Sequence, residues 1–217
     1  FAQRQDTRVS DEPFYAVYLS RTGVQHPGAE AILSTLPADE NKVRTNLLRE
    51  HDRPVLFIKN MAHHMEVLDD PLIAGARNIF LIRDPQLILA SYAAVIDKPV
   101  MRDIGIAYQH TLFSALRLAG DEPVVVDSGF LLQDPVRVLT KLCYRCGMPF
   151  EQRMAHWPAG PKSYDGVWAP HWYEKVHRTT GFEKQLTPAR RLPPHLGRLL
   201  EEAQSLYEKL LPFSLKA

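Results

Sequence analysis

The residues best suited to chemistry fall into four short groups along the 217-residue chain. Arg83 follows the apolar run Asn78–Ile82 (NIFLI), and Ser91 comes eight residues later. Between them Asp84 reads as a helix N-cap and Pro85 as the first helical residue. A helix N-terminus favours anions, and Ser91 lies about 9 Å along that helix at ~1.5 Å per residue. The apolar neighbours Leu87, Ile88, Ala94 and Val95 predict that Ser91 faces inward. An arginine and a hydroxyl converging there would grip a phosphate; the competing assignment is a salt-bridged strand end and a small packing residue. The second group is Lys59-Asn60-Met61-Ala62-His63-His64, directly after the run VLFIK. Lysine at a strand end neutralises phosphate or sulfate charge, and histidine titrates near neutrality, as a general base must. A solvated lysine with two surface or capping histidines has the same spacing. Zinc is disfavoured, because there is no HExxH and adjacent histidines rarely share one ion. Third, Glu12 in Asp11-Glu12-Pro13-Phe14-Tyr15 either accepts a proton from a hydroxyl nucleophile or sits in an exposed turn. Fourth, the segment from Trp157 to Trp168 offers Lys162, glycines and backbone N–H groups to an anion. Trp168 and Trp172 either stack on a base, line an acceptor pocket or anchor the loop. Cys143 and Cys146 have CxxC spacing, but near a helix end rather than the N-terminus that stabilises a thiolate. They read as packing residues.

Composition sets the bounds. Apolar residues make up 45% and charged residues 24%, which suits an ordinary soluble domain. The length predicts one domain over residues 1–217, able to bury a core without disulfides. Twenty-six basic and 25 acidic residues leave a net charge of +1, too little for broad nucleic-acid binding. A local anion pocket needs only a few arginines. Two cysteines without a framework, and apolar runs shorter than a membrane span, predict a cytoplasmic, non-membrane protein. Nothing in the pattern sets an oligomeric state.

The elements that must position these groups follow from periodicity. Val55–Lys59, Asn78–Ile82 and Pro123–Val126 are continuous apolar runs, predicting parallel strands covered on both faces. Arg8–Asp11 is a fourth strand candidate, after a segment Phe1–Gln5 that reads as the end of a helix. Helices are predicted at Pro85–Ile96, Asp103–Ala119, Asp134–Cys146 and Leu196–Leu211, and Trp157–Gly181 as a long ordered loop closed by a short helix. Alternation of strand and helix predicts an α/β fold with a mainly parallel sheet. Ligands in such folds bind beyond the carboxyl ends of the strands. Glu12, Lys59 to His64, Arg83 to Ser91 and Asp127 to Phe130 all fall there.

Four segments in order resemble the sulfotransferase superfamily that uses 3′-phosphoadenosine 5′-phosphosulfate (PAPS), and within it a bacterial and plant sulfotransferase-like group. They are FAQRQDTRVSDEPFYAVYL, FIKNMAHH, NIFLIRDPQLILASY, and WPAGPKSYDGVWAPHWY with the nearby Thr179-Thr180-Gly181-Phe182. The resemblance implies a P-loop-NTPase-like three-layer sandwich, here lacking its first strand and phosphosulfate loop, which would lie upstream of Phe1. It implies transfer of a sulfuryl group from PAPS to a hydroxyl or amine of a small-molecule acceptor, with 3′-phosphoadenosine 5′-phosphate (PAP) as product and no metal. Arg83 and Ser91 take the two 3′-phosphate positions, with Lys162 adding to them and Lys59 near the sulfuryl group. The base is Glu12, His63 or His64, with Glu12 preferred because its segment is well matched. Two other functions fit the same residues. One is a module that binds PAP and transfers nothing. The other is a P-loop nucleoside kinase, which would need GxxxxGK[ST] upstream.

Overall fold

The computed structural model describes residues 1–49, 52–71, 75–93, 98–183 and 192–217. In chain order the elements begin with β1 (Thr7–Asp11), α1 (Tyr15–Thr22), α2 (Ala29–Thr35), α3 (Glu40–Leu48), β2 (Val55–Lys59) and α4 (Ala62–Met65). Next come β3 (Ile79–Ile82), α5 (Pro85–Tyr92), α6 (Met101–Ile104), α7 (Ile106–Leu118), β4 (Val124–Asp127), α8 (Ser128–Gln133) and α9 (Pro135–Arg145). The last are α10 (Ala169–Trp172), α11 (Glu174–His177) and α12 (Gly197–Leu210). They form two compact units: Phe1–Ile73 with Glu151–Phe182, and Ala74–Phe150 with Glu183–Ala217. The architecture is α/β, rich in helix, with a small parallel sheet in each unit.

In the first unit β1 pairs with β2 in parallel, from Thr7 opposite Val55 to Asp11 opposite Lys59. The ladder runs one bond further, from the Glu12 N–H to the Lys59 carbonyl (2.8 Å). Parallel neighbours need a crossover, and α1 to α3 lie in it. These helices are absent from the predicted set. Tyr15 to Leu19 of α1 are all buried, so its sequence shows no polar face to reveal a helical period. Gly23, at φ 66°, closes α1 by donating its N–H to the Leu19 carbonyl (2.9 Å). Asp39 caps α3 through the Lys42 N–H (2.7 Å). Tyr15, Ala16, Tyr18, Leu19, Ile32 and Trp168 form the core cluster. Gly166 permits it, since a Cβ there would stand 2.1 Å from the Trp168 ring. Phe1–Gln5, expected as a helix end, is a turn. Tertiary contacts hold it: Phe1 stacks on Phe57 at 4.3 Å, and buried Arg4 pairs with Asp6 (2.6 Å) and Glu151 (3.3 Å).

In the second unit β3 pairs with β4 in parallel, from Ile79 opposite Val124 to Ile82 opposite Asp127. All four residues of β4 are buried, as expected of a doubly covered strand. β3 instead alternates: Phe80 and Ile82 are buried while Leu81 is 57% exposed. An unbroken apolar run does not by itself say that both faces are covered. Asp84 caps α5 through the Gln86 N–H (2.8 Å), with Pro85 in the first turn. Residues 94–96 of the predicted helix lie outside the described residues. The helix expected over Asp103–Ala119 is two, because Gly105 at φ 75° ends α6 and starts α7. Asp134 caps α9 as expected, accepting from the Arg137 N–H (3.1 Å), and Gly147 follows its end at φ 73°. Helix α12 packs on α7 and α5, and the Leu215 N–H donates to the Val125 carbonyl (2.9 Å). Among the described residues no helix is long and apolar enough to cross a membrane.

Burial separates two leucines of the second unit. Leu210 of α12 is 0% exposed and Leu118 of α7 is 90% exposed. Leu210→Ala is expected to cost about 2–5 kcal/mol in denaturant unfolding, and Leu118→Ala within about 0.5 kcal/mol of nothing. Equal costs would contradict this placement of the core.

Candidate active site

The register of β1 and β2 brings the chemistry of the first unit together. Asp11 and Lys59 are the last paired residues, and Glu12 stands one position beyond. Glu12 has φ 43°, a left-handed conformation that a residue with a Cβ adopts at a cost. Such strain is worth about 1–3 kcal/mol and clusters at active sites. Here it turns the chain from β1 into α1, with the Tyr15 N–H donating to the Glu12 carbonyl (3.1 Å). The carboxyl group is left 7% exposed and ion-paired, through Oε1, with the Lys59 ammonium. Asp11 Oδ1 lies 3.4 Å from the same ammonium.

Tyr173, between α10 and α11, completes the group. Its hydroxyl donates to Asp11 Oδ2 (2.7 Å) and accepts from Lys59 Nζ (2.9 Å) and Trp168 Nε1 (3.3 Å). Glu12 Oε1 is 3.1 Å from that oxygen. Burial pushes the Glu12 carboxyl above its ordinary value, and Lys59 opposes without cancelling it. Burial likewise pushes up the Tyr173 phenol, with the neighbouring Glu12 charge adding to it. The arrangement is a water-poor carboxylate that can take a proton, beside a fixed positive charge that can stabilise an anion.

The adjacent histidines are placed differently from one another. His64 is 1% exposed, stacked on Tyr15 at 4.3 Å, and its Nδ1 is 3.7 Å from Glu12 Oε2, beyond hydrogen-bond reach. Desolvation first, and the His63, Lys59 and His26 charges after it, pull His64 down to about 2. It is therefore a neutral ring at physiological pH. His63 is half-buried and meets Tyr18 edge-on at 5.1 Å. His26 shares a hydrogen bond with the Tyr15 hydroxyl (2.8 Å).

Lys162 belongs to the first unit but engages its own loop: its ammonium donates to the Gly160 carbonyl and its N–H to Asp165 Oδ2 (2.7 Å). The Gly160 N–H donates to the His177 carbonyl (2.7 Å). The amides read from sequence as open to an anion are thus partly committed. Of the alternatives for Trp168, anchoring fits: it is 2% exposed and serves the core, whereas Trp172 is 43% exposed. Arg83 and Ser91 belong to the second unit. Arg83 is half-buried just past β3, and burial lowers its guanidinium from the ordinary value against the opposing Asp84. Ser91 is exposed, not inward-facing as expected. The buried stripe of α5 runs through Pro85 and Leu89, which leaves Ser91 on the open side. Asp84 occupies the Gln86 N–H, so that amide is not open to an anion. Sequence reasoning missed Asp11, Tyr15 and Tyr173 as partners of the site. A sequence signal existed only for Asp11, next to Glu12. Among the described residues no cluster of three or more His, Cys, Asp or Glu is arranged to hold a metal ion.

The two buried groups give opposite pH signatures. His64 is depressed on folding from 6.5, so its contribution is present above that value and is lost as pH falls toward 2. Glu12 is raised from 4.5, so its contribution is present below that value and is lost as pH rises through the folded pKa. His64→Phe keeps the stack and removes the proton site. It should make the loss of stability between about pH 6.5 and 4 shallower by up to about 1.4 kcal/mol per pH unit. Denaturant unfolding across a pH series measures this; an unchanged slope would mean that His64 titrates normally.

The family model described as sulfotransferase domain matches residues 1–211. Branched-chain-amino-acid aminotransferase-like proteins 1 and 2 of Arabidopsis thaliana are each 34% identical over 212 residues, 97% of this chain and 38% of their own length. The chain thus spans well under half of these curated relatives. A solved structure, the sulfotransferase domain from the curacin biosynthetic pathway, aligns over 92% of this chain and 78% of its own. Its TM-score is 0.51 at 16% identity, a likeness of fold alone. With the family model matched along almost its whole length, the chain belongs to the sulfotransferase domain family.

Proposed function

We propose that this chain acts as a cytoplasmic PAPS-dependent sulfotransferase on a hydroxyl or amine of a small-molecule acceptor, in a P-loop-NTPase-like three-layer fold. The observation that carries the proposal is the buried Glu12 carboxylate paired with Lys59 at the carboxyl ends of two parallel strands. Open α/β sheets place ligands at that edge.

PAPS, when bound, supplies the sulfuryl group and departs as PAP. Arg83 is suited to the 3′-phosphate because its guanidinium is half-buried at a strand end, where a charge-assisted contact is worth most. The exposed Ser91 hydroxyl is available to the same group. Lys162 is a further candidate anion ligand, and to serve as one it gives up its bond to the Gly160 carbonyl. Glu12 takes the proton from the acceptor hydroxyl or amine, its basicity increased by burial. Lys59 holds Glu12 in place and offers positive charge to the transferring group. His64, neutral and out of hydrogen-bond reach of Glu12, supports the carboxylate by packing, and His63 is the second choice of base. A second reading, binding of PAP without transfer, fits the same residues, and the curated relatives are named aminotransferase-like.

Binding and turnover should separate in two variants of the full-length protein. Glu12→Gln should lower kcat by about 10²–10⁴-fold, the usual weight of a general base, with PAP affinity unchanged by calorimetry. Arg83→Ala should weaken PAP binding at least tenfold, since one charge-assisted contact is worth roughly 1.5–3 kcal/mol. Wild-type turnover in Glu12→Gln would move the base to a histidine. PAP binding with no transfer to any hydroxyl or amine would establish the second reading.

A further inference from the structure

Tyr173 has more polar partners than one hydroxyl can satisfy at once. A phenol carries one proton and two lone pairs. Lys59 Nζ (2.9 Å) and Trp168 Nε1 (3.3 Å) can only donate to it, which uses both lone pairs. The single proton must then choose between two carboxylates, Asp11 Oδ2 at 2.7 Å and Glu12 Oε1 at 3.1 Å. The shorter contact goes to Asp11. The Lys59 ammonium stands 5.3 Å from the Tyr173 ring centroid, on the hydroxyl side of the ring.

We propose that Tyr173 is a positioning residue that commits its proton to Asp11 and thereby leaves Glu12 to the Lys59 ammonium, as the one carboxylate of the site available to accept a proton. The groups set around Glu12 come from several elements. Asp11 comes from the end of β1, Lys59 from β2, His64 from α4 and Tyr173 from the junction of α10 and α11. Burial first, and the Asp165 and Asp11 charges after it, push up the phenol of Tyr164 on the turn before α10. Asp11 and Glu12 are adjacent carboxylates sharing one lysine, so they compete for it. With the Tyr173 proton on it, Asp11 has a donor of its own and Lys59 can serve Glu12. Without that proton, Asp11 turns to Lys59 among the described residues, and Glu12 loses part of the charge that offsets its burial.

Two conservative variants should therefore move Glu12 in opposite directions. Tyr173→Phe should raise the Glu12 pKa, because Asp11 draws Lys59 away. Asp11→Asn should lower it, because a negative neighbour is gone and the Tyr173 proton turns to Glu12. The probe is the side-chain carboxyl signal of ¹³C-labelled glutamate in the full-length protein, titrated by NMR and assigned by its absence in Glu12→Gln. The readout needs no turnover, so it stands apart from the sulfotransferase reading on which the role of Glu12 as base rests. Shifts of opposite sign, each about half a pH unit or more, support the proposal. No shift in Tyr173→Phe, or shifts of the same sign, overturns it. Should Tyr173→Phe fail to fold with Trp168 Nε1 left unpaired, Asp11→Asn decides alone: a Glu12 pKa that rises or stays in place overturns the proposal. A merely structural role for Tyr173 predicts lost stability with no sign reversal between the two variants.

Discussion

A carboxylate that has almost left water must be held, and the first unit is arranged around holding Glu12. Burial alone would drive its carboxyl to protonate. The Lys59 ammonium opposes that, and the parallel register of β1 and β2 is what puts the ammonium there. Glu12 also sits in a left-handed conformation. A strained backbone and an ion taken out of water both work against stability, so neighbouring contacts must over-determine them. They do: α1 follows Glu12 directly and is buried over five successive residues, α4 presses His64 behind the carboxyl, and Tyr173 reaches the front. Trp168 anchors that last segment, and glycine at position 166 is the condition for its ring to fit.

The second unit solves a different problem by a repeated local device. Asp84, Asp127 and Asp134 each accept a backbone N–H at the start of a helix, at 2.8, 3.0 and 3.1 Å. Two of these caps fall at or just after the end of a strand, so the turn from strand to helix is fixed within two residues. Arg83 is caught in one such turn, between Ile82 of β3 and the cap Asp84. Its place in the chain is therefore fixed by the turn from β3 into α5. Asp127 is further secured by the buried Tyr207 hydroxyl at 2.9 Å.

What the sequence showed, and what it hid, divides by range. Val55–Lys59 is a strand over the predicted residues, and Asp84 and Asp134 cap the helices assigned to them, because these signals are local. The placing of Glu12 and Lys59 at strand ends followed from the same runs. Periodicity misjudged Ser91 because it leaned on Ala94 and Val95, whereas the buried stripe of α5 passes through Pro85 and Leu89. It also passed over Gly105, whose left-handed φ divides one amphipathic pattern into two helices. Tyr173 could not be found this way. Its partners Asp11 and Glu12 are 162 and 161 residues away along the chain, and nothing in the local pattern distinguishes it from Trp172, the exposed aromatic beside it.

The coupling between Glu12 and Lys59 can be measured directly by a double-mutant cycle in denaturant unfolding at neutral pH, with Glu12→Gln, Lys59→Met and the pair. Lys59→Met alone should be the most destabilised, since it strands a buried charge. The double variant should recover most of that loss, giving an interaction term of at least about 1 kcal/mol. Additive effects of the two substitutions would contradict the account, for they would mean that the carboxylate and the ammonium stand side by side without holding one another.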